Sequence, residues 1–353
     1  MNFDVFKGKR VLVTGSTGFK GSWLCTWLTE LGANVSGLAL PPAEDAPLFD
    51  QLKLRDRVDQ HDGDIRDLNF VQRVLDRTEP EIVIHLAAQA LVRLSYDVPK
   101  DTLDTNIGGG INLLEAIRKC DAVKALVFIT SDKCYRNKEW DWGYRENDEL
   151  GGPDPYSASK AAAELVFATY HESFFQQREG FQAATTRAGN VIGGGDFSKD
   201  RIIPDCIRAL KDNKPIVVRN PISTRPWQHV MEPLSGYLAV AEYLLAGNGE
   251  GRPSWNFGPD AENVRTVKEL ADKAVDIWGS GSVDVQINRN APHEAKLLML
   301  ISDKAKSILG WRPRWDFNEA VSQTIQWYKD VDAGEDPLEV TRSQIAAYMG
   351  GNK

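Results

Sequence analysis

Tyr156 and Lys160 stand four residues apart in DPYSASK (154–160), so on a helix their side chains lie one turn apart and converge on one point. An ammonium beside a phenol stabilises the phenolate and lowers its pKa from about 10, giving a proton donor or acceptor usable near neutrality. A second group with chemical consequences is the glycine set Gly15, Gly18 and Gly21 in TGSTGFKG (14–21). Glycines let a turn tighten and let backbone N–H groups at the positive end of a helix approach a pyrophosphate. Each feature has a plainer reading, a chance Tyr-Lys pair or a bare tight turn. The glycines' place between a strand and a helix near the N-terminus favours the nucleotide reading.

The elements that must position these residues follow from hydrophobic patterning. Residues 9–14 (KRVLVT) form a short β-branched run before the glycines, and 19–31 carry Trp23, Leu24, Trp27, Leu28 and Leu31 at helical spacing. The alternation recurs. Strands are expected at 34–40, 81–86 and 125–129, with another before Asp64, and helices at 68–75 and 111–117. This predicts an α/β fold: a Rossmann-type, doubly wound parallel sheet covered on both faces. Residues 133–154 read as a long loop, and long loops in compact domains are usually functional. Asp154 as N-cap and Pro155 at the first helical position start the helix that carries Tyr156 and Lys160. After a strand at 181–187, glycines and prolines interrupt short elements. The expected division is a dinucleotide lobe at 1–189 and a smaller, mainly substrate-binding lobe at 190–353, with some segments returning to the first.

The GxxGxxG spacing, with Ser131 placed 25 residues before Tyr156 and just after a strand, resembles the extended short-chain dehydrogenase/reductase superfamily. That resemblance implies NAD as cofactor. Tyr156 would take the proton of a sugar hydroxyl as hydride leaves, Lys160 would also hold the nicotinamide ribose, and Ser131 would hydrogen-bond the reacting oxygen. It also implies cofactor contacts from Gly15, Thr17, Gly18, Phe19 and Gly21, and from Leu86, Ala87 and Ala88. Asp64 and Ile65 resemble the superfamily's adenine-contacting pair, although Asp64 reads equally well as a turn residue. The chain departs from the pattern at the end of the second strand, where a ribose-holding acid is expected and Ala39 and Leu40 stand; Glu44 and Asp45, beyond two prolines, read as solvated.

Within that superfamily, FKGSWL, TSDKCYRNKEWDWGYRE, DPYSASK, RAGNVIGGGD and TRPWQHVMEPLSGYL, through to HEAKLLML and LGWRPRW, resemble the nucleotide-sugar 4,6-dehydratases, in the branch that acts on CDP-glucose. Other dehydratases carry an Asp-Glu pair where this chain has Asp132 and Lys133. The resemblance makes Asp132 the acid and Lys133 the base for carbon 5 of the sugar, which requires a neutral amine; the alternative is an ion pair between the two. Asn190, Arg201, Arg219 and Arg225 are candidates for the nucleotide-sugar diphosphate, because guanidinium binds phosphate bidentately. Trp140, Trp142 and Trp227 could stack on sugar or base, or belong to the core. His85 and His229 read as structural.

Composition narrows the field further. The 353 residues are 42% hydrophobic and 26% charged, so the chain is globular with room for about two units. A net charge of −8 argues against nucleic acid as a partner. Cys25, Cys120, Cys134 and Cys206 have no metal-ligand spacing and suit a reducing compartment, so the expectation is a cytoplasmic protein without metal. The N-terminus lacks the features of a signal peptide and no apolar run reaches membrane-spanning length. The superfamily resemblance further implies a homodimer, and the branch a role in deoxysugars of surface polysaccharides such as lipopolysaccharide O-antigen. Competing readings are a 4-epimerase or a dehydratase of another nucleotide sugar on the same scaffold, and a non-catalytic dinucleotide sensor.

Overall fold

The computed structural model describes residues 3–249, 251, 253–286 and 298–350. At its centre lies a seven-stranded, wholly parallel sheet: β1 (Arg10–Thr14), β2 (Asn34–Ala39), β3 (Asp59–Asp62), β4 (Ile82–His85), β5 (Ala125–Ile129), β6 (Gln182–Ala188) and β7 (Ser254–Phe257). The spatial order is β7-β6-β5-β4-β1-β2-β3. Every strand expected from patterning is present, with ends shifted by a residue or so. Val11 and Val13, Ile82 and Ile84, and Val127 and Ile129 face one side of the sheet, while Leu12, Val83, Leu126 and Phe128 face the other. Both faces are covered, so the central strands read as continuous apolar runs rather than alternating ones. At the edge, β3 is DQHD and leaves its sides partly open.

One face is covered by α1 (Phe19–Glu30) and the C-terminal elements, the other by α2 (Leu68–Thr78), α3 (Gly110–Arg118) and α4 (Pro155–Tyr170). α4 begins as its sequence predicts, with Pro155 in the first turn and the Asp154 carboxylate accepting from Ser157 N at 2.9 Å. Beyond residue 190 the strands are short pairs: Val191–Ile192 with Gln228–His229, Thr224–Arg225 with Arg265–Thr266, and Ile216–Val218 with Val283–Val285. β7 then rejoins the sheet beside β6. The order reverses between β1 and β4, whose chain connections leave in opposite directions, and the crevice beyond their C-terminal ends is where such sheets bind ligands.

A buried carboxylate fixes the end of the chain. Glu232, on α5 (Met231–Leu245), accepts from Trp315 N at 2.8 Å, Arg314 N at 3.1 Å and the Tyr348 hydroxyl at 2.7 Å, tying α6 (Pro337–Gly350) to the body. Burial pushes its pKa from 4.5 up to about 7, against the pull of those donors. Because the folded protein holds this proton more tightly than the unfolded chain, the stabilisation is complete below about pH 4.5. It is lost as pH rises through about 7, and amounts to a few kcal/mol, an order-of-magnitude figure. In Glu232→Gln this component of the pH dependence should vanish while the fold persists. Melting temperatures of the two proteins that track each other between pH 4.5 and 7 would refute it.

Candidate active site

The glycine loop is built by close approach. Gly15 has φ +72°, and a Cβ on it would lie 2.7 Å from Ala87 N; a Cβ on Gly21 would lie 2.0 Å from Gly15 O. No side chain caps α1 at Gly18, so the amides of its first turn remain available to an anion. Thr17 Oγ1 donates to Leu40 O at 2.9 Å, joining the loop to the end of β2. Phe19 packs against the core, and a Cβ on Gly193 would touch its ring at 2.9 Å. From β4, Leu86 N donates to Thr14 O and Ala87 N to Thr14 Oγ1, which sets residues 86–88 against the loop. These residues fit a dinucleotide pyrophosphate: a backbone cradle at a positive helix end that any side chain on Gly15 or Gly21 would destroy.

Asp64 heads a turn, accepting from Arg66 N at 2.8 Å and pairing with its guanidinium at 2.7 Å, and this contact lowers its pKa. The neighbouring Ile65 is buried against Gly109. Beyond β2, Leu40 is exposed and so are Glu44 and Asp45, in keeping with solvated loop residues.

The candidate proton-transfer residues meet just beyond the C-terminal end of β5. Ser131, Asp132, Tyr156 and Lys160 are all buried. Ser131 Oγ donates to Asp132 Oδ1 at 2.9 Å, and Ser131 acts to lower the Tyr156 pKa. Lys160 Nζ stands 6.0 Å from the centre of the Tyr156 ring. Burial lowers the Lys160 pKa to about 8. The expected fall in the Tyr156 pKa is corrected here: the protein's own groups raise it to about 12. Desolvation of the phenolate is the largest cause, the negative charge of Asp132 adds to it, and Ser131 and Arg201 only partly offset them. Lys133 is partly buried and its backbone N donates to Ser131 Oγ at 3.2 Å. It makes no ion pair with Asp132, whose Oδ1 is taken by Ser131.

Behind this group runs a buried ion pair. Glu164 lies one turn beyond Lys160 on α4, and Arg187 Nε and Nη2 donate to its two oxygens at 2.8 and 2.7 Å. Thr130 Oγ1 and, at 2.9 Å, Thr185 Oγ1 donate to the same carboxylate. Arg187 Nη1 reaches on to the Tyr135 hydroxyl at 2.6 Å and Glu146 O at 2.9 Å, both in the 133–154 loop. Glu164 was reachable from sequence as the third member of the Tyr156, Lys160 helix face. Its partner on β6 was not.

The substrate candidates separate. Arg201 Nη1 donates to the buried carboxylate of Asp196 at 2.9 Å, and its charge reaches Tyr156. Asn190, with φ +52°, lines a small cleft with Asp132, Gly189, Pro226, Gln228 and Phe257. Arg225 stands beside that cleft, its Nη1 donating to Thr224 O. Arg219 is exposed past the strand Ile216–Val218, and no contact joins it to the cluster. Of the tryptophans, Trp140 stacks on Tyr144, Trp227 is in the core and Trp142 is 73% exposed. His85 and His229 are buried with pKa values lowered to about 3, which suits structural roles. All four cysteines are free and buried. Among the described residues no cluster could hold a metal and no helix is long and apolar enough to cross a membrane. Residues 293–297 of HEAKLLML lie outside the described residues. Sequence reading missed Lys20 and Asp196, which the fold brings to the same cluster.

Comparison with known proteins agrees with this geometry. A family model described as GDP-mannose 4,6 dehydratase matches residues 12–324. The CDP-glucose 4,6-dehydratase of Salmonella typhimurium is 48% identical over 350 residues, covering 98% of each chain. The human dTDP-D-glucose 4,6-dehydratase is 27% identical, covering 91% of this chain and 90% of that one. Among solved structures, a dTDP-glucose 4,6-dehydratase from Streptomyces venezuelae with NAD and TYD bound superposes with a TM-score of 0.78 at 25% identity. That match covers 93% of this chain and 99% of the other.

The ion pair behind the site gives a stability test. Arg187→Met strands the buried Glu164 carboxylate and should cost about 3–5 kcal/mol in urea denaturation, part of which Arg187→Met with Glu164→Gln should recover. A single variant that unfolds at the wild-type midpoint would show that the pair carries no such weight.

Proposed function

The chain belongs to the GDP-mannose 4,6-dehydratase family, and from that membership we propose that it is a CDP-glucose 4,6-dehydratase using NAD. The product would be CDP-4-dehydro-6-deoxyglucose, with loss of one water. The observation that carries the reading is the joining of Asp132 to Ser131 and Tyr156 in one buried cluster. A sugar oxidised by the Ser-Tyr-Lys set thus has a carboxyl group in reach as well, and oxidation alone has no use for it.

When bound, NAD supplies an acceptor that takes the hydride of carbon 4 and gives it back at carbon 6. The protein's residues handle the protons. Tyr156 takes the proton of the carbon-4 hydroxyl, with Ser131 hydrogen-bonded to the reacting oxygen. The ketone so formed acidifies the hydrogen on carbon 5, which Lys133 removes, while Asp132 protonates the departing carbon-6 hydroxyl as water. Lys133 is free to act this way because it is not spent on an ion pair with Asp132. Lys160 would place a positive charge beside the Tyr156 ring, and Ser131 and Arg201 favour the phenolate against the burial that opposes it. Asn190, Arg201 and Arg225 border the space on the substrate side, and Arg219 stands apart. Gly15, Thr17, Gly18, Phe19, Gly21, Asp64, Ile65 and residues 86–88 serve the cofactor.

The lobe division at 189/190 belongs to the same reading, as do a cytoplasmic location and a role in deoxysugars of surface polysaccharides. A homodimer is proposed as well: Leu103, Ile111, Leu165 and Phe174 leave large apolar side chains exposed on the helical face that includes α4, and Leu165 is 60% exposed.

Purified protein with NAD should convert CDP-glucose, and not the UDP, dTDP or GDP sugars, to a species lighter by one water, followed by mass spectrometry. No dehydration of any of them, with NAD binding demonstrated, would leave the 4-epimerase and sensor readings. In deuterium oxide, Lys133→Ala should oxidise carbon 4 yet lose exchange at carbon 5 by about 100-fold or more. Exchange at the wild-type rate would take the base role away from Lys133.

A further inference from the structure

We infer that Lys20 is a further binding residue of this site, its ammonium holding a phosphate of the bound dinucleotide. The inference rests on the reading that the glycine loop takes NAD. Lys20 is the second residue of α1 and lies three before Trp23, so the two side chains share a helix face. Trp23 fixes where that face points, since its Nε1–H donates to Gly194 O at 2.9 Å. The charges that act on the Lys20 ammonium belong to three segments: Asp196 and Arg201 after Gly194, Asp132 in the turn after β5, and Lys160 on α4.

This is a costly place for a cation. The first turn is the positive end of a helix, and Arg201 and Lys160 add like charge. Burial, then those two neighbours, push the Lys20 pKa down to about 8. The carboxylates nearby are engaged elsewhere: Asp196 holds Arg201 at 2.9 Å and Ser198 N at 3.1 Å, and Asp132 holds Ser131. Among the described residues none forms an ion pair with Lys20. An ammonium kept against the helix dipole and two like charges, without a counter-ion of its own, is balanced by an anion that also reaches the uncapped amides of α1. A diphosphate ester does both. The chain has a use for that contact, because Ala39 and Leu40 at the end of β2 offer no carboxylate to an adenosine ribose.

The test is calorimetric titration of wild type, Lys20→Met and Lys20→Arg with ADP-ribose, with adenosine, and separately with CDP. Lys20→Met should weaken ADP-ribose about tenfold or more and leave adenosine and CDP unchanged, with Lys20→Arg recovering most of the loss. Freed of like-charge repulsion, the Met variant should melt no lower than wild type in the absence of nucleotide. Unchanged ADP-ribose affinity would overturn the inference, and so would a lower melting temperature, because the ammonium would then be held by the protein itself. A loss confined to CDP would overturn it too, by giving Lys20 to the substrate. If Lys20→Met fails to fold, Lys20→Gln replaces it. Wild-type protein that binds NAD but dehydrates nothing would remove the dehydratase reading and leave this one standing.

Discussion

A carboxylate buried in the seam between a helix and a sheet has to be neutralised where it stands, and Glu164 meets that requirement with Arg187. The pair carries more than its own charge. Through Thr130, just past β5, and Thr185 on β6 it joins α4 to the sheet, so the helix that displays Tyr156 and Lys160 is fixed against the strand that leads to Ser131. Through Arg187 it extends to Tyr135 and Glu146, and Tyr135 passes the chain of contacts to Asn256 on β7 at 2.8 Å. Proton transfer tolerates little misplacement, and this network is what holds Ser131, Tyr156 and Lys160 in one geometry. Such a pair is not retained for its net stabilisation, since apolar replacements of buried ion pairs are often neutral. Its value here is orientation.

The same reasoning explains what the sequence disclosed and what it hid. Gly15, Gly18 and Gly21, and Tyr156 with Lys160, were legible because their geometry is local: a turn, and one helical repeat. The sheet was legible because β1, β4 and β5 are buried on both faces and leave uninterrupted apolar runs. β3 offers only DQHD, an edge strand with little to bury. Contacts between distant segments leave no periodic trace. Nothing local joins Asp196 to Lys20, or Glu232 to Tyr348 across 116 residues. Arg219, a guanidinium attractive as a phosphate ligand by type alone, stands exposed past a short strand and away from the cluster.

The protonation of the site was also beyond local reading. Helical spacing brings an ammonium to a phenol, and by itself that contact lowers the phenol's pKa. Spacing says nothing about how much water the fold removes, and here desolvation is the largest influence on both groups, leaving Tyr156 near 12 and Lys160 near 8. The two shifts have one origin, since burial disfavours phenolate and ammonium alike. The cluster is therefore tuned by enclosure first and by pairwise charge second.

That ordering has a consequence for how the site works. In an enclosed cluster, each added charge acts through a lower effective dielectric than it would in water, so a single diphosphate or a single ammonium moves its neighbours further. A phosphate bound there would favour the charged forms of Lys20 and Lys160, while Ser131 and Arg201 are what offset the burial of Tyr156. On the proposed reading, binding and proton transfer would be coupled through the same few side chains. The glycine loop would bring the anion in, and the Glu164–Arg187 pair holds α4 against the sheet where those groups lie.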